Sequence, residues 1–312
     1  MSAQDVRNFV SPLENNKRNL YQTQEHIKNQ NIIVPVFAYP ELFQIISRLD
    51  KHYHHKFLKD VQTGYEFSVE YGKENNNIIL LLHGGGLSWW NYEEAAKSLQ
   101  KDYHIILPIL DGHAESDKPF TSIEDNAIEI IEFIDTHFEG SVLLMSGLSL
   151  GGQVLLEILS QRNDICKYAI IESALVKPSK LTHAMIKPAF GSCYGLIKYK
   201  WFSKLQFKSL KIRSDLFEFY FRDTCAISKK DMIAFLQANS LYSLKESIKN
   251  CTAKVHVFVG SEENAAMQKS AVSIHHALRE SLLQVLPKWH HGEFSINHGE
   301  DYANKVREII GD

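Results

Sequence analysis

Apolar and polar positions follow one rhythm through most of the chain and lose it once. Residues 65–71 alternate in period two, Ile78–Leu82 is continuously apolar, 103–107 is mostly apolar, and short apolar runs recur at 142–145 and 168–171. Between them lie helical windows near 90–101, 122–138 and 151–162. The second of these sets Ile123, Ala127, Ile130, Ile131 and Ile134 on one face. Continuous apolar strands separated by helices predict an α/β protein, with a mainly parallel central β-sheet flanked by helices on both faces.

The rhythm breaks at residues 177–252, where aromatic and basic residues mix without a strand pattern, as in KYKWFSKLQF and DLFEFYFRD. Helical spacing is evident there from Asp231 to Ala238. Strand and helix then resume at 255–259, 266–280, 282–286 and 300–310. An insertion of roughly 75 residues is too long for a plain loop and is expected to form a helical lid or subdomain. The expected organisation is an N-terminal extension at 1–60, a core at 61–176 and 253–312, and a helical cap at 177–252. Within the extension, an apolar run at 32–38 and an amphipathic stretch at 41–49 suit docking on the core or an oligomer contact. His52, His54 and His55 have no carboxylate or cysteine at ligand spacing and read as an exposed polar helix end.

Composition narrows the function classes. Hydrophobic residues at 44%, charged residues at 23% and a net charge of −3 are ordinary globular values that give no electrostatic argument for nucleic acid or a membrane. The first thirty residues lack an apolar core of signal-peptide length, and no run is long enough for a membrane helix, so a soluble cytoplasmic protein is expected. Cys166, Cys193, Cys225 and Cys251 lack CxxC spacing and suit free thiols. The partner these values leave is a small molecule, with a homo-oligomer left open.

The chemistry concentrates in Gly147-Leu148-Ser149-Leu150-Gly151-Gly152, set between a strand and a helix. A G-x-S-x-G turn in that context holds the serine in a strained backbone that only small residues two places away tolerate, leaving its hydroxyl clear of the sheet edge. Here the sequence resembles the α/β-hydrolase superfamily over about residues 65–312. The resemblance extends to His83-Gly84-Gly85-Gly86 after the strand ending at Leu82, and to Asp111-Gly-His-Ala-Glu-Ser-Asp117, where Ala114 replaces a glycine. It implies Ser149 as nucleophile, with the backbone N–H groups of Leu150 and Gly85 as oxyanion donors. His113 reads as a loop-packing residue.

A serine needs a base, and the base a carboxylate, in the family's chain order of Ser, acid, His. Gly260-Ser-Glu-Glu263 resembles the family's G-x-x-D and implies Glu263 as acid, with Glu262 one register away and Glu172 after the preceding strand as a third option. His290-His291-Gly292 stands where the family shows G-H-G, implying His291 as base, ahead of His290 and His298. The expected activity is hydrolysis of a small ester-type substrate through an acyl-enzyme, without metal or organic cofactor. Carbon–carbon bond hydrolysis, amide hydrolysis and a non-catalytic binding module of the same fold are the rivals. Seven aromatics of the insertion, Trp201, Phe202, Phe207, Phe217, Phe219, Tyr220 and Phe221, are candidates to line an apolar pocket or to pack the cap onto the core.

Overall fold

The computed structural model describes residues 68–311. The segments at 32–38 and 41–49 and the histidines His52, His54 and His55 lie outside the described residues, as does the start of the first predicted strand. Seven strands form one sheet: β1 (Ser68–Tyr71), β2 (Ile78–Leu82), β3 (His104–Pro108), β4 (Val142–Leu148), β5 (Cys166–Glu172), β6 (Lys254–Gly260) and β7 (Ser281–Leu286). Their order is β1-β3-β2-β4-β5-β6-β7, with β1 antiparallel to β3 and the remaining neighbours parallel.

Helices cover both faces, which is why the interior strands read as unbroken apolar runs. Ile79, Leu80, Leu81 and Leu82 are all buried. The edge strand β7 is the exception, exposing Leu282 and Val285. The core helices are α1 (Glu93–Leu99), α2 (Ile123–His137) and α3 (Leu150–Gln161), followed after the insertion by α8 (Ala265–Ala277), α9 (Glu293–Asn297) and α10 (Gly299–Gly311). α1 packs with α10, and α2 with α3. On α2 the predicted apolar face is the buried one, and Ser122 accepts the Asp125 N–H at its start. Every residue of α3 from Leu150 to Leu159 is buried, including the polar Gln153 and Glu157, so the helix is enclosed on all sides.

The chain leaves β2 for β3 on one side and returns to β4 on the other. The loops after β2 and β4 therefore diverge, opening a crevice at the C-terminal ends of the strands, where open parallel sheets commonly place their sites.

The segment between β5 and β6 folds as helices: α4 (Lys180–Cys193), α5 (Lys200–Ser209), α6 (Phe217–Ala226) and α7 (Lys229–Leu241). Polar contacts tie it to the core. The Trp90 Nε1–H donates to Asp223 at 2.7 Å, and the Phe120 N–H donates to Asp231 at 3.0 Å. The buried Gln153 of α3 donates to the Asn239 carbonyl and accepts from its amide, both at 3.0 Å. The aromatics of the insertion pack mainly among themselves: Phe207 meets Phe217 and Tyr220, all three buried, and Phe219 stacks over Trp90. Trp201 faces outward, 64% exposed.

Candidate active site

Ser149 sits between β4 and α3 with φ +54° and ψ −110°, a conformation that a non-glycine residue holds only when its surroundings force it. Two glycines make the turn sterically feasible. A Cβ on Gly147 would lie 2.3 Å from the Gly151 carbonyl oxygen, and one on Gly151 would lie 2.2 Å from that of Leu82. The Ser149 N–H donates to the Glu172 carbonyl at 2.9 Å, fixing the turn against β5. Leu150 opens α3, so its N–H has no partner within its own helix.

Gly85 lies beside it: a Cβ on Gly85 would stand 3.5 Å from the Leu150 Cβ. The loop carrying Gly85 is held on both sides. Gly84 N–H donates to Asn91 Oδ1 at 3.1 Å, Leu110 N–H donates to His83 Nε2 at 3.1 Å, and His83 Nδ1 meets the Gly84 carbonyl at 2.9 Å. An acceptor role for Nε2 requires the proton on Nδ1, so His83 is the neutral Nδ1–H tautomer. Burial, with His113 adding to it, pushes its pKa down to about 3. His113 stacks on Phe235 of α7 with centroids 4.6 Å apart, and burial lowers it to about 4. Its position is that of a packing residue between the β3–α2 loop and the insertion.

Glu263 follows β6 and is buried. One carboxylate oxygen accepts from Ser173 Oγ at 2.6 Å and the Gly260 N–H at 2.8 Å, while the other accepts from His291 Nδ1 at 2.7 Å. Burial alone would raise its pKa, but the His291 contact and the two remaining hydrogen bonds hold it below the ordinary carboxylate value. His291 lies after β7, directly before Gly292, whose φ of +69° starts α9. With Nδ1 donating to Glu263, its Nε2 carries the free lone pair, and the side chain is 43% exposed.

Of the alternatives, His290 hydrogen-bonds to Glu293 through both its backbone N–H (2.8 Å) and Nδ1 (3.1 Å), and His298 stacks on Trp289 at 4.5 Å. Glu262 is exposed, and its N–H donates to the Trp289 carbonyl. The third candidate acid, Glu172, lies at the end of β5, buried, with one oxygen accepting from the Ser295 N–H at 3.4 Å and the other without a hydrogen-bond partner. Burial pushes its pKa up to about 7, against the Ser295 contact and with Glu263 adding to the rise.

A cavity of about 340 Å³ joins these loops. Ser149, Glu263 and His291 line it together with Gly84, Gly85 and Leu148. The insertion contributes Ser209 to Ile212 to the wall, and none of the seven predicted aromatics. Of the two readings the composition left open for these aromatics, packing describes most of them: their rings are turned into the helix packing or, for Trp201, out to solvent. Two residues that spacing gave no reason to select hold the site in shape: Ser173, with φ +52°, on Glu263, and Asn297, which donates to the Lys211 carbonyl at 2.8 Å and accepts the Arg213 N–H at 2.9 Å. Among the described residues no cluster of three or more histidine, cysteine or acidic side chains is placed to hold a metal ion.

Fold and site point to one class: this chain has the α/β-hydrolase fold. The sequence model described as alpha/beta hydrolase fold matches residues 77–192, which carry the Gly-rich loop and the Ser149 turn. Among solved structures, the chain is similar to an esterase from Exiguobacterium antarcticum (17% identity, covering 78% of this chain and 95% of that one, TM-score 0.67). It is also similar to a thermophilic esterase from Thermogutta terrifontis (15%, 77% and 91%, TM-score 0.65). A third likeness is to a meta-cleavage product hydrolase from Pseudomonas fluorescens IP01 (16%, 78% and 93%, TM-score 0.62). At such identities the likeness is one of fold. No curated protein matches the chain.

Proposed function

We propose that the protein is a serine hydrolase acting on an ester-type acyl substrate, with Ser149 as nucleophile, His291 as base and Glu263 as acid. The observation that carries this reading is the 2.7 Å hydrogen bond from His291 Nδ1 to Glu263, beside a cavity that Ser149 also lines. Glu263 fixes the tautomer, which leaves Nε2 to receive the Ser149 hydroxyl proton as Oγ attacks the acyl carbonyl. The carbonyl electrons move onto oxygen, facing the N–H groups of Leu150 and Gly85. Collapse of the tetrahedral intermediate expels the leaving group, which takes the proton from His291. Water, deprotonated by the same imidazole, then releases the acid and restores Ser149. In this reading residues 177–252 serve as a cap, a role supported by the stretch from Ser209 to Ile212 in the cavity wall.

The test is labelling of the full chain with a fluorophosphonate, read by intact mass and peptide mapping. A single adduct on Ser149, absent from Ser149→Ala, is expected. A folded protein that takes no adduct, or takes it elsewhere, would overturn the assignment.

A further inference from the structure

The whole-chain charge of −3 conceals a strong local asymmetry. Residues 173–214 contain eight lysines and Arg213 but neither aspartate nor glutamate. All eight lysines are exposed, and only Lys200 forms an ion pair with a described residue, Glu218 at 2.9 Å. The same stretch collects exposed apolar side chains. Of the twelve large hydrophobic residues exposed among the described residues, seven fall between Leu181 and Leu210.

Helix α5 shows how the two are combined. Its inward face carries the buried Ser203 and Phe207. Its outward face, at spacings of three, four and seven, carries Trp201, Lys204, Leu205 and Lys208, with Trp201 and Leu205 both 64% exposed. A solvated helix face has no use for a tryptophan and a leucine one turn apart. Lysines interleaved with exposed Trp and Leu are the composition of a helix lying in the headgroup region of a bilayer. The chain passes directly from this face through Ser209 to Ile212 in the cavity wall. No helix among the described residues is long and apolar enough to cross a membrane, so any association through this face is peripheral.

We infer that the outward face of α5, with Lys204 and Lys208 interleaved between Trp201 and Leu205, docks on an anionic lipid bilayer. Trp201 and Leu205 enter the acyl boundary and the lysines meet the headgroups. This revises the expectation of no membrane partner that the whole-chain charge supported. A nucleic acid would satisfy the lysines but leave Trp201 and Leu205 without a role, which favours lipid. Where the hydrolase reading holds, on which this last step rests, the substrate class is an acyl amphiphile taken from the bilayer surface.

The experiment is flotation of the full chain with phosphatidylcholine vesicles, with and without phosphatidylserine, at low and high salt. Binding confined to the anionic vesicles and weakened by salt is expected. K204Q/K208Q should lower the partition coefficient about fivefold per lysine, while K204R/K208R keeps it. W201A/L205A should lower it about tenfold or more with the circular dichroism and melting temperature unchanged. Binding independent of both double variants, no binding to anionic vesicles, tighter binding to RNA, or a dimer that W201A/L205A dissolves would each overturn the docking assignment. None of these arms measures hydrolysis, so failure of the serine reading leaves them intact. For the substrate class, W201A/L205A should slow turnover of a long-chain ester in anionic vesicles and leave a soluble short-chain ester unaffected. Equal loss on both would overturn that step alone.

Discussion

The rim of the sheet and the inserted helices use their residues in opposite ways. At the rim, Ser149 and Ser173 occupy left-handed backbone at φ +54° and +52°, and each is held by a backbone hydrogen bond to a neighbouring strand, to the Glu172 and Phe258 carbonyls respectively. Little there can change without a collision. The insertion is joined to the core mainly through side chains from several elements, such as Trp90 with Asp223, Gln153 with Asn239 and His113 with Phe235, and turns Trp201 and Leu205 outward. Rigidity is concentrated where atoms must be placed to fractions of an ångström, while the insertion spends apolar surface on solvent.

The sharpest break of the rim is chemical. Ser149→Ala should lower kcat/KM for an ester by on the order of 10⁶ with thermal unfolding unchanged, measured by initial rates beside a melting curve. Next, Glu263→Gln keeps the shape but presents an amide to His291 Nδ1, favouring the wrong tautomer, and is expected to lower kcat about 10⁴-fold with little change in KM.

Gly151→Ala tests the packing itself. Its Cβ would meet the Leu82 carbonyl oxygen at 2.2 Å, and a loss of about 3 kcal/mol or more by denaturant unfolding is expected. Glu172→Gln tests a buried group of similar energetic weight with an identifiable sign. Because the folded-state pKa of Glu172 is raised from its ordinary 4.5 to about 7, the native protein binds more protons than the unfolded chain between those values. The wild type should therefore lose stability relative to Glu172→Gln as pH rises from 5 to 8, by about 3 kcal/mol, and the gap should be nearly constant above that window. Denaturant midpoints of both proteins across this range check the slope, and parallel curves would show that Glu172 is not the titrating group.

The smallest effect belongs to the insertion. Trp90→Phe removes the donor to the buried Asp223, which Arg222 still neutralises, at a cost of about 1 to 3 kcal/mol. In this variant, protease accessibility of 177–252 should rise before the core melts.

Much of the fold is legible because its signals are local. The run Ile78–Leu82, the periodic face of α2 and the glycines around Ser149 each encode their structure within a few residues, and helices and parallel strands follow from such spacing. The choice between Glu262 and Glu263 is different. A one-residue shift after β6 reverses which carboxylate turns inward, and only the position of His291 on the next loop makes Glu263 its partner. Ser173 and Asn297 carried no signal, since a serine after a strand and an asparagine at a helix end are common and their partners are distant in the chain.

The insertion marks the other limit. Its aromatic content suited either a pocket lining or packing, and Phe207, Phe217 and Tyr220 face one another while Trp201 faces out. Composition counts side chains but does not aim them.

By itself, then, the sequence determined the alternation of strands and helices and the tight turn that presents Ser149, because periodicity and glycine sterics act over a few residues. Only the tertiary structure decided which carboxylate meets which imidazole, which four residues of the insertion close the cavity and which apolar side chains stay outside. Those choices depend on the register of loops from separate strands, and register is set by packing between segments that are far apart in the chain.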